Sequence, residues 1–222
     1  MPKRNIIITA DGSTSIQLEA WNEQYHSKHG AIQEAKHVFI QNGFRAITKA
    51  NVSILEMGFG TGLNALVTLI ASEKQDIQVD YVGIEAYPVG LNEYQRMNFA
   101  QEIGRPELKA VYEKMHSVPW GDAAAITSNF TLTKIKKDFF DVNAQNTFDL
   151  VYFDAFGPRV QPELWTTELF LKMFEALLPN GILVTYSAKG SVRRSLQEVG
   201  FSVERLPGPA GKREMLRGMK PR

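Results

Sequence analysis

Short, almost wholly apolar runs alternate with longer amphipathic segments from residue 52 onward. The runs read VSILEMG, VDYVGIEA, FDLVYFDAF and GILVTYSA, and the segments that follow them read LNALVTLIASEK, VGLNEYQRMNFAQEI, TELFLKMFEALLP and GSVRRSLQEVG. Continuous apolar runs are typical of strands that are buried on both faces, whereas the longer segments have helical spacing. The pattern therefore predicts an α/β fold with a mostly parallel sheet and helices on both faces.

The two ends of the chain predict different elements. Near the N-terminus, NIIITADGSTSIQLEAWN places two β-prone runs around an Asp-Gly turn, which predicts a β-hairpin. The next stretch, GAIQEAKHVFIQNGF, predicts a helix that stops in a left-handed conformation at Asn42 and Gly43. At the C-terminus, FSVERLP and REMLRGM are too close together for a helical crossover, so they predict an antiparallel pair at the sheet edge. Between residues 103 and 147, FTLTKIKKD predicts a strand, but GDAAAITSN has no clear assignment.

The composition is that of an ordinary globular protein. The 222 residues predict a single domain, with an N-terminal elaboration over residues 1–50 and a core over residues 51–222. There is no cysteine and the four histidines lack the spacing of metal ligands, so we expect neither disulfides nor a metal site. No apolar run approaches the roughly 18 residues of a membrane span, and the N-terminus lacks the apolar region of a secretory signal. A soluble, cytoplasmic protein with no membrane partner is expected.

The charge is unevenly distributed. The formal net charge is only +1, but residues 189–222 carry nine Lys or Arg against three Glu, whereas the first 188 residues carry 16 basic and 21 acidic groups. A solvated basic tail and a nucleic-acid contact both fit this distribution.

Three glycines punctuate the segment EMGFGTGLN at the end of the first core run. Gly58, Gly60 and Gly62 allow a sharp turn and a close approach of the backbone to a ligand. No Lys-Ser/Thr pair follows as in a P-loop, and Leu63 replaces the last glycine of a dinucleotide fingerprint. A purely structural turn remains an alternative. However, Glu85 ends the next run, where a carboxylate can accept both ribose hydroxyls of a nucleoside, although a solvated strand-end acid is the other interpretation.

This combination resembles the class I S-adenosylmethionine methyltransferases from about residue 50 to residue 220. More narrowly, YHSKHGAIQEAKHVF, ILEMGFGTGLN, FDAFGPRVQPELWT, LPNGILVTYSAKGSVRRSLQEVGF and GKREML resemble the methyltransferase domain of the MnmC/MnmD family. Members methylate 5-aminomethyl(-2-thio)uridine at the tRNA wobble position. The resemblance implies a Rossmann-like fold with a seven-stranded sheet and S-adenosyl-L-methionine as cofactor. The length implies a stand-alone form without the flavin-dependent domain of two-domain members.

The resemblance also implies a set of cofactor-binding positions. In the glycine segment and at the strand ends, these are Glu56, Gly58, Phe59, Gly60, Gly62, Asn64, Glu85, Asp138, Phe139 and Asp154. Asp138 follows the expected third strand, where an acid commonly contacts the adenine amino group, although Asp141 lies close by. Phe59 and Phe139 could flank the adenine or belong to the core.

Methyl transfer to an amine requires positioning and charge placement more than covalent catalysis. Asp154 could accept a hydrogen bond from the amine and offset its developing charge, or it could be a structural cap. Phe156 offers a stacking face for a uridine ring. Tyr25 and Glu34 are expected to close over the site together with His26, but His26 and His37 could equally be structural. Trp165 is interpreted mainly as an anchor for the following helix.

The basic C-terminal segment fits an RNA substrate. The residues expected to contact tRNA are Lys189, Arg193, Arg194, Lys212 and Arg213. The expected partner is the anticodon region of tRNA, with the aminomethyl group installed by other enzymes. Two alternatives stay open: an S-adenosylmethionine-dependent methyltransferase of a small-molecule amine such as a polyamine, and a non-catalytic nucleoside-binding module.

Overall fold

A small antiparallel sheet opens the chain in the computed structural model, which describes residues 3–222. It contains β1 (Arg4–Ile8), β2 (Thr14–Leu18) and β3 (Glu23–Gln24) in that order. The first two strands form the predicted hairpin, and the Thr9 N–H donates to the Ser13 carbonyl at 2.8 Å to close its turn. The third, short strand was not predicted.

The main sheet has eight strands within the described residues. In chain order they are β4 (Asn51–Met57), β5 (Gln78–Ile84), β6 (Ala123–Thr127), β7 (Phe130–Ile135), β8 (Phe148–Phe153), β9 (Leu177–Thr185), β10 (Ser202–Pro207) and β11 (Glu214–Met219). The spatial order is β10-β11-β9-β8-β4-β5-β7-β6. The five strands from β9 to β7 run parallel, while β11 is antiparallel to both β9 and β10. The predicted parallel core and antiparallel terminal pair are confirmed. The eighth strand, β6, comes from the unassigned GDAAAITSN segment and pairs antiparallel with β7.

Helices cover both faces of this sheet. They are α1 (Ala31–Ala35), which continues as a wider π-helix over Lys36–Gln41, then α2 (Leu63–Glu73), α3 (Leu91–Tyr94), α4 (Phe99–Glu102), α5 (Lys109–Ser117), α6 (Thr167–Ala176) and α7 (Gly190–Glu198). One apolar cluster includes Ile54 and Leu150, and the other includes their neighbours Leu55 and Val151. Alternate residues of one strand thus enter opposite cores, as continuous apolar runs require.

Two local predictions about the helices are wrong. The segment 89–103 forms two short helices rather than one, because Asn98 leaves the helical path to hold the hairpin. Its side chain accepts a hydrogen bond from the Thr14 N–H at 2.8 Å and donates one to the Gly12 carbonyl at 2.9 Å. The helix that begins at Ala31 ends near Asn42 as expected, but neither Asn42 nor Gly43 has a left-handed backbone conformation. Glycine is required at position 43 for space, since a Cβ there would lie 2.6 Å from the Phe39 carbonyl oxygen.

Candidate active site

A cleft of about 1090 Å³ lies at the carboxyl edge of the parallel strands. Its walls come from the residues that follow β4, β5, β8 and β9, from the N-terminal sheet and from Gly211 and Lys212 in the β10–β11 loop. Ligands of open α/β sheets bind at this edge, where the strand order reverses on either side of the first core strand. Strand β4 has β5 on one side and β8 on the other, so the cleft sits at that reversal.

The glycine turn between β4 and α2 is tightly packed and conformationally demanding. Gly58 has φ +99°, and a Cβ at this position would lie 2.7 Å from the Asp154 carbonyl oxygen. The Gly60 N–H donates to Glu85 Oε2 at 2.9 Å, and the Tyr87 N–H donates to Glu85 Oε1 at 2.9 Å. A carboxylate oxygen can accept a second hydrogen bond, so Glu85 is oriented by the backbone and still able to bind hydroxyl groups.

A brace from α5 supports the same turn from behind. The Tyr112 hydroxyl donates to the Thr61 carbonyl at 2.7 Å, and His116 Nε2 lies 3.0 Å from the same oxygen. Burial lowers the pKa of His116 to about 4, so the ring is neutral at physiological pH and Nε2 carries the proton that is donated. Helix α5 lies in the stretch whose sequence pattern was least clear, and this brace was not predicted.

Asn64 lines the cleft and joins two acidic side chains, Asp154 in the cleft lining and Glu56 behind it. Its Nδ2 donates to Glu56 Oε1 at 2.9 Å and to Asp154 Oδ2 at 2.8 Å. Glu56 is fully buried and does not line the cleft, in contrast to the direct cofactor contact that the resemblance implies. Burial raises the pKa of Glu56 well above its usual value, while the hydrogen bond from Asn64 opposes this rise. Its position fits a role in orienting Asn64.

Asp154 lies at the end of β8 and faces the cleft, together with Asn64. Burial raises the pKa of Asp154 to about 7; the negative charge of Glu34 adds to this rise, while the Asn64 hydrogen bond and Lys212 oppose it. Glu34 is fixed by the Ser27 N–H at 3.0 Å and by Lys212 Nζ at 2.6 Å. The site therefore holds a carboxyl group that changes charge near neutral pH.

An aromatic wall faces these acids. The Phe156 ring lies edge-on to Tyr25, with centroids 5.0 Å apart, and to Trp21 at 5.9 Å. The Trp165 indole N–H donates to the Phe156 carbonyl at 2.8 Å, which fixes the turn that presents this ring. The Tyr186 hydroxyl similarly donates to the Ala155 carbonyl at 2.8 Å. Trp165 is buried beneath the wall, so it supports the site without lining the cleft.

Both histidines for which two interpretations were open make hydrogen bonds within the fold. His26 bridges the hairpin and the glycine turn, with Nδ1 2.9 Å from Ser15 Oγ and Nε2 3.1 Å from Thr61 Oγ1. Burial lowers the pKa of His26 to about 4. His37 Nε2 lies 2.8 Å from the Pro207 carbonyl oxygen. These contacts favour a structural role for both histidines, and His26 also lines the cleft, whereas His37 does not.

The remaining predicted cofactor positions differ in exposure. Asp138 lines the cleft and is exposed; its Oδ1 accepts from the Phe140 N–H at 2.9 Å. Phe139 and Phe59 also line the cleft but are 7% and 2% exposed, respectively. The Phe59 ring packs across Gly83, where a Cβ would lie 2.5 Å from it. Core packing therefore accounts for most of the Phe59 surface.

The structure does not bring the five predicted RNA-contacting residues together. Lys212 points into the cleft, where its ammonium pairs with Glu34 and lies 3.8 Å from the centroid of the Tyr186 ring. Lys189 and Arg213 line a shallow groove next to the cleft. Arg193 and Arg194 on α7 line neither; Arg193 is half-buried and Arg194 is exposed.

Trp21 and Tyr186 are among the cleft residues that were not predicted from the sequence. Tyr186 directly follows β9, and the carboxyl ends of parallel strands are where ligand contacts concentrate, so its place in YSAKG was a usable signal. Trp21 had no comparable signal, because its position depends on how the N-terminal sheet folds against the core. Among residues 3–222, no group of three or more His, Asp or Glu side chains is arranged to hold a metal ion. No helix in the same part of the chain is long and apolar enough to cross a membrane.

Comparison with known proteins gives consistent matches. A family model described as S-adenosyl-L-methionine-dependent methyltransferase matches residues 105–221. The tRNA 5-methylaminomethyl-2-thiouridine biosynthesis bifunctional protein MnmC of Hydrogenovibrio crunogenus is 32% identical over 214 residues, covering 89% of this chain and 31% of that protein. The protein of the same name from Pseudomonas savastanoi pv. phaseolicola is 30% identical over 234 residues, covering 97% and 34%. The chain thus spans about a third of the length of these curated relatives.

Solved structures agree on the fold. The crystal structure of MNMC2 from Aquifex aeolicus matches with a TM-score of 0.80 at 26% identity, covering 98% of this chain and 70% of that chain. Spermidine synthase from Thermotoga maritima matches with a TM-score of 0.56 at 14% identity, covering 98% and 68%. The second likeness concerns the fold alone.

Proposed function

Because the chain belongs to the family of S-adenosyl-L-methionine-dependent methyltransferases, we propose that it methylates the amine of a 5-aminomethyl-(2-thio)uridine at the wobble position of tRNA. The names of the relatives support the substrate class. The observation that carries the proposal is a carboxyl group that titrates near neutral pH, Asp154, facing an aromatic wall at the carboxyl edge of the sheet. This arrangement suits an acceptor nucleobase that carries an amino group.

The residues present fit the cofactor. Gly58 and Gly60 line the cleft without side chains, so a ligand can approach the backbone there, and Glu85 retains acceptor capacity for two ribose hydroxyls. Asp138 has one carboxylate oxygen for the adenine amino group. The acids of the cleft also suit a cationic ligand. S-adenosyl-L-methionine supplies the methyl group on a positively charged sulfur when it is bound.

Asp154 is the proposed catalytic group for the acceptor amine. Asn64 occupies Oδ2, so Oδ1 remains to accept a hydrogen bond from the amine and to aim its lone pair. The ionised carboxylate offsets the positive charge that develops on nitrogen as the new bond forms. Because the pKa of Asp154 is about 7, the group is partly protonated at neutral pH and gains charge as pH rises.

The aromatic and charged surroundings have separate proposed tasks. Phe156, with Tyr25 against its edge, offers a face on which a splayed uridine ring can stack. Glu34 and Lys212 form an ion pair beside Asp154. Burial is the main cause of the raised pKa of Asp154, and the pair modulates it, since Glu34 raises this pKa further and Lys212 lowers it. Other enzymes would install the aminomethyl group, and the cytoplasm is the proposed location.

The test compares acceptors. Labelled S-adenosyl-L-methionine is incubated with the protein and with tRNA from two strains, one that stops at the 5-aminomethyl stage and one that cannot install the aminomethyl group. We expect label only in the first tRNA. A polyamine mixture serves as the third acceptor, and label there but not in tRNA would replace this proposal with a small-amine methyltransferase. Cofactor binding without transfer to any acceptor would favour a non-catalytic module.

A further inference from the structure

A shallow groove of about 410 Å³ opens beside the cleft. Its lining consists of residues 157–159, 186–189 and 212–214. Three residues, Gly157, Tyr186 and Lys212, line both the groove and the cleft, so the two are continuous. Gly157 directly follows Phe156, and a Cβ at Gly157 would meet only Tyr186 Oη at 3.6 Å and Glu23 Oε2 at 4.0 Å. The passage between the groove and the aromatic wall is therefore open.

The groove is basic. Four of its lining residues are cations, namely Arg159, Lys189, Lys212 and Arg213, against a single acid, Glu214. Glu34 neutralises Lys212 and Glu23 pairs with Arg159 at 3.1 Å, while Glu214 lies between two arginines, 3.6 Å from Arg205 and 3.8 Å from Arg213. These three acids are outnumbered by the five basic side chains, so the net charge of the groove is positive. The groove opens to solvent beside the cleft.

Three of the cations keep donors for a ligand. The Arg159 side chain is 62% exposed, and its hydrogen bonds to Trp21 O, Asn22 O and Glu23 Oε2 all leave from Nη2, so Nε and Nη1 stay available among the described contacts. The Arg213 side chain is 90% exposed and Lys189 is exposed. A planar guanidinium with free edges is well suited to phosphate oxygens.

We propose that this groove binds a backbone phosphate of the tRNA adjacent to the target nucleotide, through Arg159, Lys189 and Arg213. The inference rests on the proposed function and names how the same site holds its substrate. A base stacked on Phe156 has to leave its neighbours, and phosphate contacts on its sugar-phosphate backbone supply affinity and register for that splayed state. The continuous passage at Gly157 provides the path from base to backbone.

The experiment measures tRNA binding as a function of salt. The wild type is compared with Lys189→Ala/Arg213→Ala, using tRNA that carries the unmethylated aminomethyl group. For each phosphate that the variant no longer binds, the slope of log affinity against log salt should fall in magnitude by about 0.7 to 1 unit. The matched control is Lys74→Ala, which removes an exposed lysine just after the end of α2, away from the carboxyl edge of the sheet. It should keep the wild-type slope.

The outcomes separate this inference from the proposed function. If the double variant binds tRNA with the wild-type affinity and slope while the wild type methylates tRNA, the groove assignment is wrong and the proposed function stands. If the wild type transfers no methyl group to tRNA, the proposed function fails on its own test. An unfolding midpoint equal to that of the wild type shows that each variant is folded. If Lys74→Ala reduced the slope as much as the double variant does, the groove assignment would also be wrong.

Discussion

Replacing Asp154 by asparagine isolates the contribution of its charge. In the wild type, Asn64 Nδ2 donates to Asp154 Oδ2 at 2.8 Å. An asparagine at this position has one oxygen and one amide group, and the Asn64 donor selects the oxygen. The amide N–H₂ then points to where the acceptor amine approaches. The variant therefore loses the negative charge and also presents a donor in place of an acceptor.

The expected decrease in rate follows from that change. Removing a preorganised electrostatic contact in the transition state costs about 2.7 to 4 kcal/mol, which corresponds to a rate lower by roughly 100- to 1000-fold. The affinity for S-adenosyl-L-methionine should change little, because the proposed sugar and base contacts lie at Glu85 and Asp138. The matched control is Asp122→Asn, an exposed carboxyl outside the cleft, which should keep the wild-type rate.

The pH profile provides the second part of the assay. Since the folded pKa of Asp154 is raised to about 7, the wild-type single-turnover rate should rise with pH as this group ionises and as the amine loses its proton. The variant should retain only the rise that belongs to the amine. Rates are measured at saturating tRNA and cofactor. A variant rate within about threefold of the wild type, with an unchanged profile, would refute the reasoning and leave Asp154 as a structural cap.

Three further substitutions test other parts of the site. Glu85→Ala removes the proposed acceptor of two ribose hydroxyls, each bond worth about 1.5 to 3 kcal/mol, so calorimetry should show at least tenfold weaker cofactor binding; unchanged affinity would exclude the role. Gly58→Ala forces a side chain into a left-handed position with a Cβ 2.7 Å from a carbonyl oxygen, so urea unfolding should show about 1 to 3 kcal/mol lower stability, and wild-type stability would contradict the packing. Glu34→Gln removes a negative charge near Asp154 and frees Lys212 from its ion pair, and both effects lower the pKa of Asp154. The pH at which the rate rises should therefore decrease, and an unchanged or higher pH would contradict this role of Glu34.

The local pattern of apolar residues was sufficient to predict the parallel strands of the core. Strand β8 is buried at every position, and its sequence FDLVYF contains a single acid, Asp149, which is offset by Lys49 and by the Ser53 N–H and hydroxyl. Apolar runs of this kind identify strands because few other elements bury both faces. The glycine turn and the acids at the strand ends followed from the same topology, which places carboxyl ends of parallel strands together.

Long-range contacts set the limits of prediction from local pattern. Asn98 interrupts a helix because its side chain bonds the hairpin 84 residues away, and the helical spacing of apolar residues cannot predict such a long-range hydrogen bond. The basic C-terminal segment and the family resemblance predict an RNA contact for Lys212, yet Lys212 bonds Glu34 across 178 residues inside the cleft. The resemblance implies a cofactor contact for Glu56, but its side chain is fully buried and accepts a hydrogen bond from Asn64. The spacing of apolar residues predicts the strand, but it does not predict the hydrogen-bond partner of a buried polar side chain.

The measurement that tests the central claim most directly is identification of the methylated nucleoside. The protein is incubated with labelled S-adenosyl-L-methionine and tRNA that carries 5-aminomethyl-(2-thio)uridine, and the tRNA is digested to nucleosides for separation and mass spectrometry. We predict that the label appears in one nucleoside, with a single methyl group added to the aminomethyl nitrogen, and that Asp154→Asn sharply reduces it. Label on a ring atom, on a ribose or on a different nucleoside would contradict the proposed function.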